Sequence, residues 1–253
     1  ADEKARKGKL RTYGVIEHDK KREVNLLKLR ETLLNGTFHT SKYDVFTIYE
    51  PKEREIYRLP YFPDRILHHA IMNVLEPIWV STFTADTYSC IKNRGIHAAA
   101  KKVKQALRED PEGTTFCLKL DIRKFYPSIN HDVLKSILRR KLKDKRLLRL
   151  LDEIIDSADG VPIGNYLSQY FANLYLTYFD HWIKEQKRVK HYFRYADDIV
   201  ILASDKSYLH SLMGEIRAYL GDLKLEVKGN WQVFPVAARG IDFVGYVFFH
   251  THT

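Results

Sequence analysis

Three aspartates at the ends of predicted strands are the residues most suited to chemistry in this sequence. Asp197 and Asp198 are adjacent in "HYFRYADDIVILASDK", between two runs of β-forming residues, and Asp121 ends the apolar run "TTFCLKLD". If these strands are neighbours in one sheet, the three carboxylates repel one another unless cations lie between them. Oxygen ligands suit Mg²⁺, and a pair of such ions can hold the attacking and leaving oxygens of a phosphoryl transfer. An isolated Asp-Asp pair is more often a polar turn, so the surrounding sequence has to decide.

The hydrophobic pattern predicts the elements that position these aspartates. Helices are predicted by apolar periodicity or by flanking Gly and Pro over residues 24–36, 63–77, 95–107, 132–155, 168–185 and 207–220. Strands are predicted over residues 43–50, 54–60, 114–122, 191–203 (as a hairpin), 223–229, 230–236 and 240–249. The elements alternate without a βαβ rhythm. We therefore expect an α+β fold, with an antiparallel sheet packed by helices on one face.

Composition and charge favour a globular protein that binds a polyanion. Hydrophobic residues make up 45% and charged residues 29%, which argues against a largely disordered chain. Lys and Arg outnumber Asp and Glu by 42 to 32, and sixteen Tyr and thirteen Phe are available to stack on bases. Nucleic acid is the leading expected partner, although clustered cations such as those of residues 135–149 are often only a solvated helix face.

The location is expected to be cytoplasmic, without membrane contact. No apolar run approaches the ~18–20 residues of a membrane span, and the N-terminal residues lack the apolar segment of a secretory signal. Cys90 and Cys117 have no metal-binding spacing, which fits a reducing compartment. Two histidine pairs invite a metal hypothesis, but neither His68-His69 nor His250 with His252 has a third ligand in view, so zinc is not favoured.

A series of motifs resembles the reverse transcriptases. "YADD" (195–198) resembles the catalytic hairpin of that family, and "LKLDIRKFYPSI" (118–129) resembles the strand that carries its other metal-binding aspartate. "GVPIGNYLSQYFANLYL" (160–176) resembles the loop and helix that support the template and the incoming nucleotide. Flanking segments, among them "REIYRLP", "IKNRGIHAA" and "GIDFVGYVF", also match, and the series keeps the order of the family over roughly residues 40–249.

Within that family, the sequence is most similar to reverse transcriptases of diversity-generating retroelements. Most relatives carry Gln-Gly and then Ser-Pro in the third motif, whereas this chain has Ile163-Gly164 and Ser168-Gln169. The resemblance implies copying of an RNA template into cDNA with frequent errors opposite adenines, together with a small basic accessory protein. The apolar Ile163 cannot donate the hydrogen bonds of an amide, which is compatible with looser checking of the nascent base pair.

The resemblance also implies the catalytic and metal-binding residues. Asp121, Asp197 and Asp198 would hold two Mg²⁺ ions, or Mn²⁺ in their place, with the carbonyl of Ile122 as a further ligand. Tyr126 would exclude the ribose 2′-OH and so select dNTPs, although it could be a plain core aromatic residue.

Two further groups of residues are expected around the nucleotide and the template. With Tyr126, those implied for the nucleotide are Lys52, Arg54, Ile163, Gly164 and Lys228, with Arg58 as a reserve candidate. Those implied for the template are Arg94, Gly95, Asn165 and Gln169. Lys52 and Arg54 are the cations that would grip the triphosphate. The alternative is that they lie on the surface and serve only solubility.

The implied architecture is a right-hand polymerase with fingers and palm and an absent or truncated thumb. An N-terminal extension and fingers would occupy residues 1–115, and the palm residues 116–253, with a helical fingers insertion at about 131–160. The implied partners are an RNA template, a DNA or RNA primer and dNTPs. Alternatives are a retron, group II intron-like or phage-defence reverse transcriptase, an RNA-dependent RNA polymerase, or a palm that binds RNA without catalysis.

Overall fold

The computed structural model describes residues 1–49 and 53–252. The helices are α1 (Asp2–Ala5), α2 (Tyr13–Asp19), α3 (Arg22–Asn35), α4 (Ile66–Val80), α5 (Ile96–Glu109), α6 (Phe125–Ser128), α7 (His131–Lys141), α8 (Lys145–Ile155), α9 (Tyr166–Tyr175), α10 (Thr177–His181), α11 (Lys206–Asp222) and α12 (Val236–Arg239). The strands are β1 (Asp44–Ile48), β2 (Arg54–Arg58), β3 (Phe116–Asp121), β4 (His191–Tyr195), β5 (Asp198–Ala203), β6 (Gln232–Pro235), β7 (Ile241–Phe243) and β8 (Tyr246–Phe248). Single π-helical turns at Tyr61–Arg65 and Trp182–Gln186 and a 3₁₀ turn at Glu112–Thr114 complete the helical structure of the described residues.

These elements form two compact units. The first unit comprises Ala1–Ser81 and His131–Phe171, and the second comprises Thr82–Asn130 and Ala172–Thr253. The helical insertion expected at about 131–160 therefore lies in the first unit, whereas the domain boundary expected after residue 115 falls inside the second.

The second unit is built on an antiparallel sheet with the strand order β4-β5-β3-β6. The side chains of β5 are buried on both faces, because the consecutive residues Ile199 to Leu202 are all buried. On one face, Val200 and Leu202 belong to a core that includes Val103 and Leu107 of α5. α11 also packs on β3 and β5. The expectation of helices on one face only is therefore wrong, and the run of β-branched residues in β5 reflects its burial from both sides.

The C-terminal part of the sheet region differs from the sequence prediction in two places. Residues 240–249, predicted as one strand, form the hairpin β7–β8. Val244 and Gly245 reverse the chain there with positive φ values of 49° and 85°. Residues 223–229 are not a strand, because Val227 makes only an isolated bridge to Ile122.

Several predicted helices have other bounds in the structure. α4 continues past Pro77, which lies inside the helix. The region predicted as one helix at 132–155 is two, because the Asp144 carboxylate caps α8 by accepting hydrogen bonds from the N–H groups of Arg146 and Leu147 at 2.8 and 2.9 Å. The region 168–185 is likewise interrupted after α9.

The first unit contains the predicted hairpin of β1 and β2, which pair antiparallel with Phe46 opposite Ile56. α3 ends as expected at Gly36, whose left-handed conformation (φ 67°) closes the helix. Across the described residues of both units, no helix is long and apolar enough to cross a membrane.

Candidate active site

The three aspartates meet at one end of the sheet in the second unit. Asp121, the last residue of β3, lies opposite Asp198, the first residue of β5, as a cross-strand Cα pair. Asp197 occupies the two-residue turn between β4 and β5, where Ala196 has a positive φ of 55°. The carbonyl of Asp197 accepts a hydrogen bond from the Ile122 N–H at 3.3 Å, which ties the turn to the chain that follows Asp121.

Two lysines neutralise part of this carboxylate cluster. Lys228 Nζ lies 2.6 Å from Asp121 Oδ1, and the Lys228 N–H donates to the Asp121 carbonyl at 2.8 Å. Lys119, two residues before Asp121 on the same face of β3, places its Nζ 3.1 Å from Asp198 Oδ1 and 3.2 Å from Oδ2. Lys119 also donates to the Asp242 carbonyl, and its ammonium lies 5.7 Å from the centre of the Phe243 ring.

The electrostatics of the turn favour a cation. Burial, followed by the charge of Asp121, raises the pKa of Asp197 to about 6. Burial also raises the pKa of Asp198, an effect that Lys119 opposes. The buried atoms Asp121 Oδ1 and Asp198 Oδ1 accept no hydrogen bond from the described residues, although each is within ion-pair distance of a lysine.

The donor set fits a hard divalent cation in its chemistry, since it offers only oxygens and two of them lack hydrogen-bond donors. Within the described residues, no three His, Cys, Asp or Glu side chains are gathered so that they could hold a metal ion as they stand. Because Lys119 and Lys228 lie within ion-pair distance of Asp198 and Asp121, a cation at these carboxylates would compete with both lysines.

A buried ion pair fixes the strand that leads into the turn. Arg194 and Asp180 are both 0% exposed, and the guanidinium donates to the two carboxylate oxygens at 2.7 and 2.6 Å. Tyr192 and Thr87 donate to the same carboxylate at 2.5 and 2.9 Å. Arg194 Nη1 also donates to the carbonyl of Ala196 at 3.0 Å, so the ion pair reaches the backbone of the turn itself.

Sequence reasoning did not single out Arg194, Asp180 or Lys119. A signal was present for the first two, because each is a charged residue inside an otherwise apolar stretch, "HYFRYA" and "YLTYFDHWI". Lys119 could have been found from strand alternation, which puts it on the face of Asp121.

Tyr126 and Ile122 lie beside the carboxylates. Burial, followed by the charges of Cys90 and Asp197, raises the pKa of the Tyr126 hydroxyl, so this side chain is within electrostatic reach of the turn. Its ring contacts that of Phe125 edge to face, with 5.6 Å between centroids. Ile122 is fully buried and bridges Val227, while its carbonyl remains only a predicted ligand.

Of the cations expected to grip a triphosphate, Arg54 and the reserve candidate Arg58 belong to the first unit. Arg54 opens β2 and is exposed, and Lys52 lies outside the described residues. The reserve candidate Arg58 is ion-paired with Asp44, and its guanidinium carbon lies 5.6 Å from the centre of the Phe46 ring. Arg54 is therefore the more available of the two described cations.

The third-motif residues contact β2 within the same unit. The Ile163 carbonyl accepts a hydrogen bond from the Tyr57 N–H at 2.8 Å. Gly164 has a φ of 120°, and a Cβ there would lie 2.7 Å from the Tyr57 carbonyl oxygen, so the absent side chain already serves the packing of the loop against β2. Asn165 is buried and donates to the Tyr43 hydroxyl at 3.0 Å, while Gln169 is exposed on α9.

The remaining candidates have local roles that are compatible with their predicted ones. Arg94 donates to the Thr84 carbonyl at 2.7 Å, and Gly95 is the residue that precedes α5. The histidines occupy separate settings: His68 is buried in α4, and His69 stacks on Tyr166 at 4.4 Å. In the second unit, His250 bonds the Thr114 hydroxyl at 3.0 Å, while the ring of His252 stacks on that of Phe249 at 4.4 Å.

Comparison with known proteins identifies relatives of this chain. A family model described as "Reverse transcriptase (RNA-dependent DNA polymerase)" matches residues 50–248. Protein YkfC of Escherichia coli is 26% identical over 88% of this chain and 71% of its own length. The group II intron-encoded protein LtrA of Lactococcus lactis is 23% identical over 70% of this chain, and nuclear intron maturase 4 of Arabidopsis thaliana is 27% identical over 60%.

Solved structures of telomerase share the fold. An apo telomerase from Candida tropicalis superposes with a TM-score of 0.58 at 13% identity over 84% of this chain, and the same enzyme in complex with a fragment of telomeric RNA gives 0.60 at 14%. The likeness confirms the predicted polymerase fold with its antiparallel sheet packed by helices. The chain spans about half of those telomerase chains and 31% of LtrA.

Proposed function

Because this chain belongs to the reverse transcriptase family, we propose that it is an RNA-directed DNA polymerase that extends a DNA or RNA primer with dNTPs on an RNA template. The observation that carries the proposal is the pairing of Asp121 with Asp198 across the sheet, with Asp197 in the adjoining turn. Such a cluster of carboxylates is suited to nucleotidyl transfer, and the two lysines beside it offset only part of its repulsion.

We propose that Asp121, Asp197 and Asp198, with the carbonyl of Ile122, hold two Mg²⁺ ions, which Mn²⁺ can replace. When bound, these ions would activate the primer hydroxyl and neutralise charge on the leaving pyrophosphate. The aspartates would act as ligands rather than as general bases. Lys119 and Lys228, which now neutralise Asp198 and Asp121, would be released from those oxygens on metal binding.

The chain's own cations would orient the nucleotide. Arg54, at the start of β2, has a planar fork of donors that matches phosphate oxygens, and Lys52 would act as a point charge beside it. Lys228, once released from Asp121, would be free to contact the pyrophosphate as it leaves. Ile163 and Gly164 would lie along the nucleotide, and Asn165, Gln169, Arg94 and Gly95 along the template.

Tyr126 would select the sugar of the nucleotide. Its half-buried ring beside the turn supports the role of excluding a ribose 2′-OH. Tyr126→Ala is expected to improve the use of NTPs relative to dNTPs by at least about tenfold, or 1.4 kcal/mol. Tyr126→Phe keeps the ring and should retain the preference for dNTPs. Equal discrimination by all three proteins would remove Tyr126 from this role.

A primer-extension assay on an RNA template tests the polymerase proposal. Asp197→Asn removes a negatively charged ligand without changing shape, so incorporation should fall at least about 100-fold while RNA binding persists. Asp222→Asn changes an exposed aspartate at the end of α11 in the same way and is the matched control. Incorporation by Asp197→Asn at the level of the unaltered protein would refute the site.

A second candidate function is RNA binding without DNA synthesis. The observation that favours it is the ion pairing of both Asp121 and Asp198 with lysines, which leaves no ready metal site in the described residues. The same assay separates the two functions, because this alternative predicts RNA binding without dNTP incorporation at any Mg²⁺ or Mn²⁺ concentration.

We further propose that the protein makes cDNA for a diversity-generating retroelement, with a small basic accessory protein as partner. This subtype rests on the residue pattern Ile163-Gly164 and Ser168-Gln169, since none of the relatives named above is described as a protein of a diversity-generating retroelement. Sequencing of the products should show errors concentrated opposite template adenines, and Ile163→Gln should reduce them. An error spectrum that is even over the four template bases would remove the assignment.

A further inference from the structure

The second unit has a cationic groove on the side of the sheet where α5 packs. The groove has a volume of about 1130 Å³ and lies between α5 and the C-terminal segment around β8. Its cations are Arg94, Lys101, Lys102, Lys104 and Arg108, and none of the described residues that line it is acidic. We refer to the surface formed by these five cations together with Tyr246 as the α5 groove.

We propose that the α5 groove binds a single-stranded segment of nucleic acid. This inference deepens the proposed function and rests on it, because it assigns a binding surface for the RNA strand that the enzyme would copy. Nothing in the metal site or in the residues expected to contact the nucleotide requires these cations.

The spacing of the cations supports a polyphosphate ligand. Lys101, Lys104 and Arg108 are three and four residues apart, so they lie on one face of α5 and extend over about 10 Å along its axis. All three are exposed, while the opposite face of the helix is buried through Val103 and Leu107. A row of that length matches about three successive phosphates of one strand.

The other wall of the groove supplies surfaces on which bases can stack. Tyr246, on β8, is 38% exposed and lines the groove. The stacked pair Phe249 and His252 also lines the groove from the C-terminal segment, and His97 lines it from the first turn of α5. Cations that follow a backbone, combined with exposed aromatic rings, characterise sites for single strands, whose bases are free to stack. A duplex would present phosphates but no unstacked bases.

A membrane or an acidic protein fits this groove less well than a nucleic-acid strand does. The groove is concave and polar at its cationic wall, whereas a membrane-binding surface requires a projecting apolar face. The predicted template contact Arg94 also lines the groove, and its guanidinium is oriented by the hydrogen bond that Nη1 donates to the Thr84 carbonyl. Continuity with that residue favours a nucleic-acid strand.

The test is fluorescence anisotropy with a labelled single-stranded RNA, measured against salt concentration with the full chain. Lys101→Ala/Lys104→Ala/Arg108→Ala should weaken binding at least about fivefold and lower the salt slope by about 2, since each phosphate contact on a single strand contributes about 0.7. Lys206→Ala/Arg217→Ala/Lys224→Ala is the matched control, because it removes the same charge from exposed positions on or next to α11, away from the groove. Tyr246→Ala should weaken binding without changing the salt slope.

The outcomes separate this proposal from the proposed function. Equal affinities of the groove variant and the control variant would overturn the site, as would equal losses for heparin, an RNA duplex and the single strand, which would indicate a general polyanion effect. Tighter binding of a single-stranded DNA than of a single-stranded RNA of the same length would overturn the assignment of the groove to the RNA strand. Binding is measured without dNTPs, so a protein that binds through the groove but incorporates nothing would refute only the polymerase proposal.

Discussion

The guanidinium of Arg194 donates a hydrogen bond to the carbonyl of Ala196, 3.0 Å away, inside the turn that carries Asp197. The same guanidinium is paired with Asp180, and both side chains are fully buried. One buried ion pair thus serves two purposes: it satisfies its own charges, and it holds the backbone from which the Asp197 carboxylate projects.

Separating these two purposes requires one single and one double substitution. Arg194→Met leaves the Asp180 carboxylate buried without its counter-ion, so the free energy of unfolding should fall by about 3–5 kcal/mol. Arg194→Met/Asp180→Asn removes both charges and keeps an acceptor for Tyr192 or Thr87, so much of the stability should return. DNA synthesis should stay low in the double variant, because the Ala196 carbonyl still lacks its donor.

Thermal unfolding and the kcat of primer extension measure these effects separately. The pair of the exposed Arg139 and the half-buried Asp152, 2.5 Å apart, provides the control: Arg139→Met/Asp152→Asn should cost no more than about 1 kcal/mol. If the Arg194 and Asp180 double variant regained both stability and kcat, the ion pair would have only a structural role.

The ammonium of Lys119 lies 3.1 Å from Oδ1 of Asp198, so Lys119 would compete with the proposed metal ion for that carboxylate. Lys119→Met removes this positive charge while keeping the length of the side chain. Binding of Mn²⁺, followed by electron paramagnetic resonance, should strengthen roughly fivefold, or about 1 kcal/mol. Lys206→Met, at an exposed position on α11, should leave it unchanged. Weaker Mn²⁺ binding by Lys119→Met would show that Lys119 anchors Asp198 for the metal instead of competing with it.

Much of the architecture of this site could be predicted from the sequence, because strand alternation and turns are determined by neighbouring residues. The hairpin around Asp197 and the strand ending at Asp121 could be predicted from runs of apolar residues, and the structure pairs the two strands. The pairing of Arg194 with Asp180 could not be predicted in the same way, because the two residues lie in different elements, β4 and α10, that only the tertiary fold brings together.

The errors of the sequence prediction have similar causes. Apolar periodicity does not reveal where a helix is interrupted, and the Asp144 cap divides a region that reads as one helix. The reason for Gly164 was also hidden, since the Tyr57 carbonyl that excludes a Cβ is more than a hundred residues away in the sequence. Lys228 was recognised as a nucleotide candidate, but its ion pair with Asp121 depends on the bridge between Ile122 and Val227.

Gly164→Ala tests the contact between the third motif and β2. The φ of 120° disfavours any side chain, and the new Cβ would lie 2.7 Å from the Tyr57 carbonyl oxygen. The free energy of unfolding should therefore fall by about 2 kcal/mol or more. Gly214→Ala, within α11 where a Cβ meets open space, should instead raise it by about 0.5–1 kcal/mol. Both values can be obtained from urea denaturation, and an unchanged stability of Gly164→Ala would show that the loop relaxes freely.

His68 makes the stability of the protein dependent on pH. Its side chain is buried in α4, its Nε2 has no hydrogen-bond partner among the described residues, and burial lowers its pKa from 6.5 to about 3. The unfolded chain therefore binds a proton between pH 6.5 and 3 that the folded chain does not. The stabilisation by neutral His68 is complete above pH 6.5 and is lost as the pH falls. The loss in the free energy of unfolding should be about 2 kcal/mol at pH 5.

The amide introduced by His68→Gln does not titrate in this range. Between pH 7 and pH 5, the variant should therefore lose about 2 kcal/mol less free energy of unfolding than the unaltered protein. His97→Gln, on the exposed side of α5, is the control and should follow the unaltered protein. Urea denaturation at both pH values measures the difference directly. An equal loss of stability in the unaltered protein and in His68→Gln would mean that the buried imidazole takes up a proton without opening the first unit, against the pKa expected from its burial.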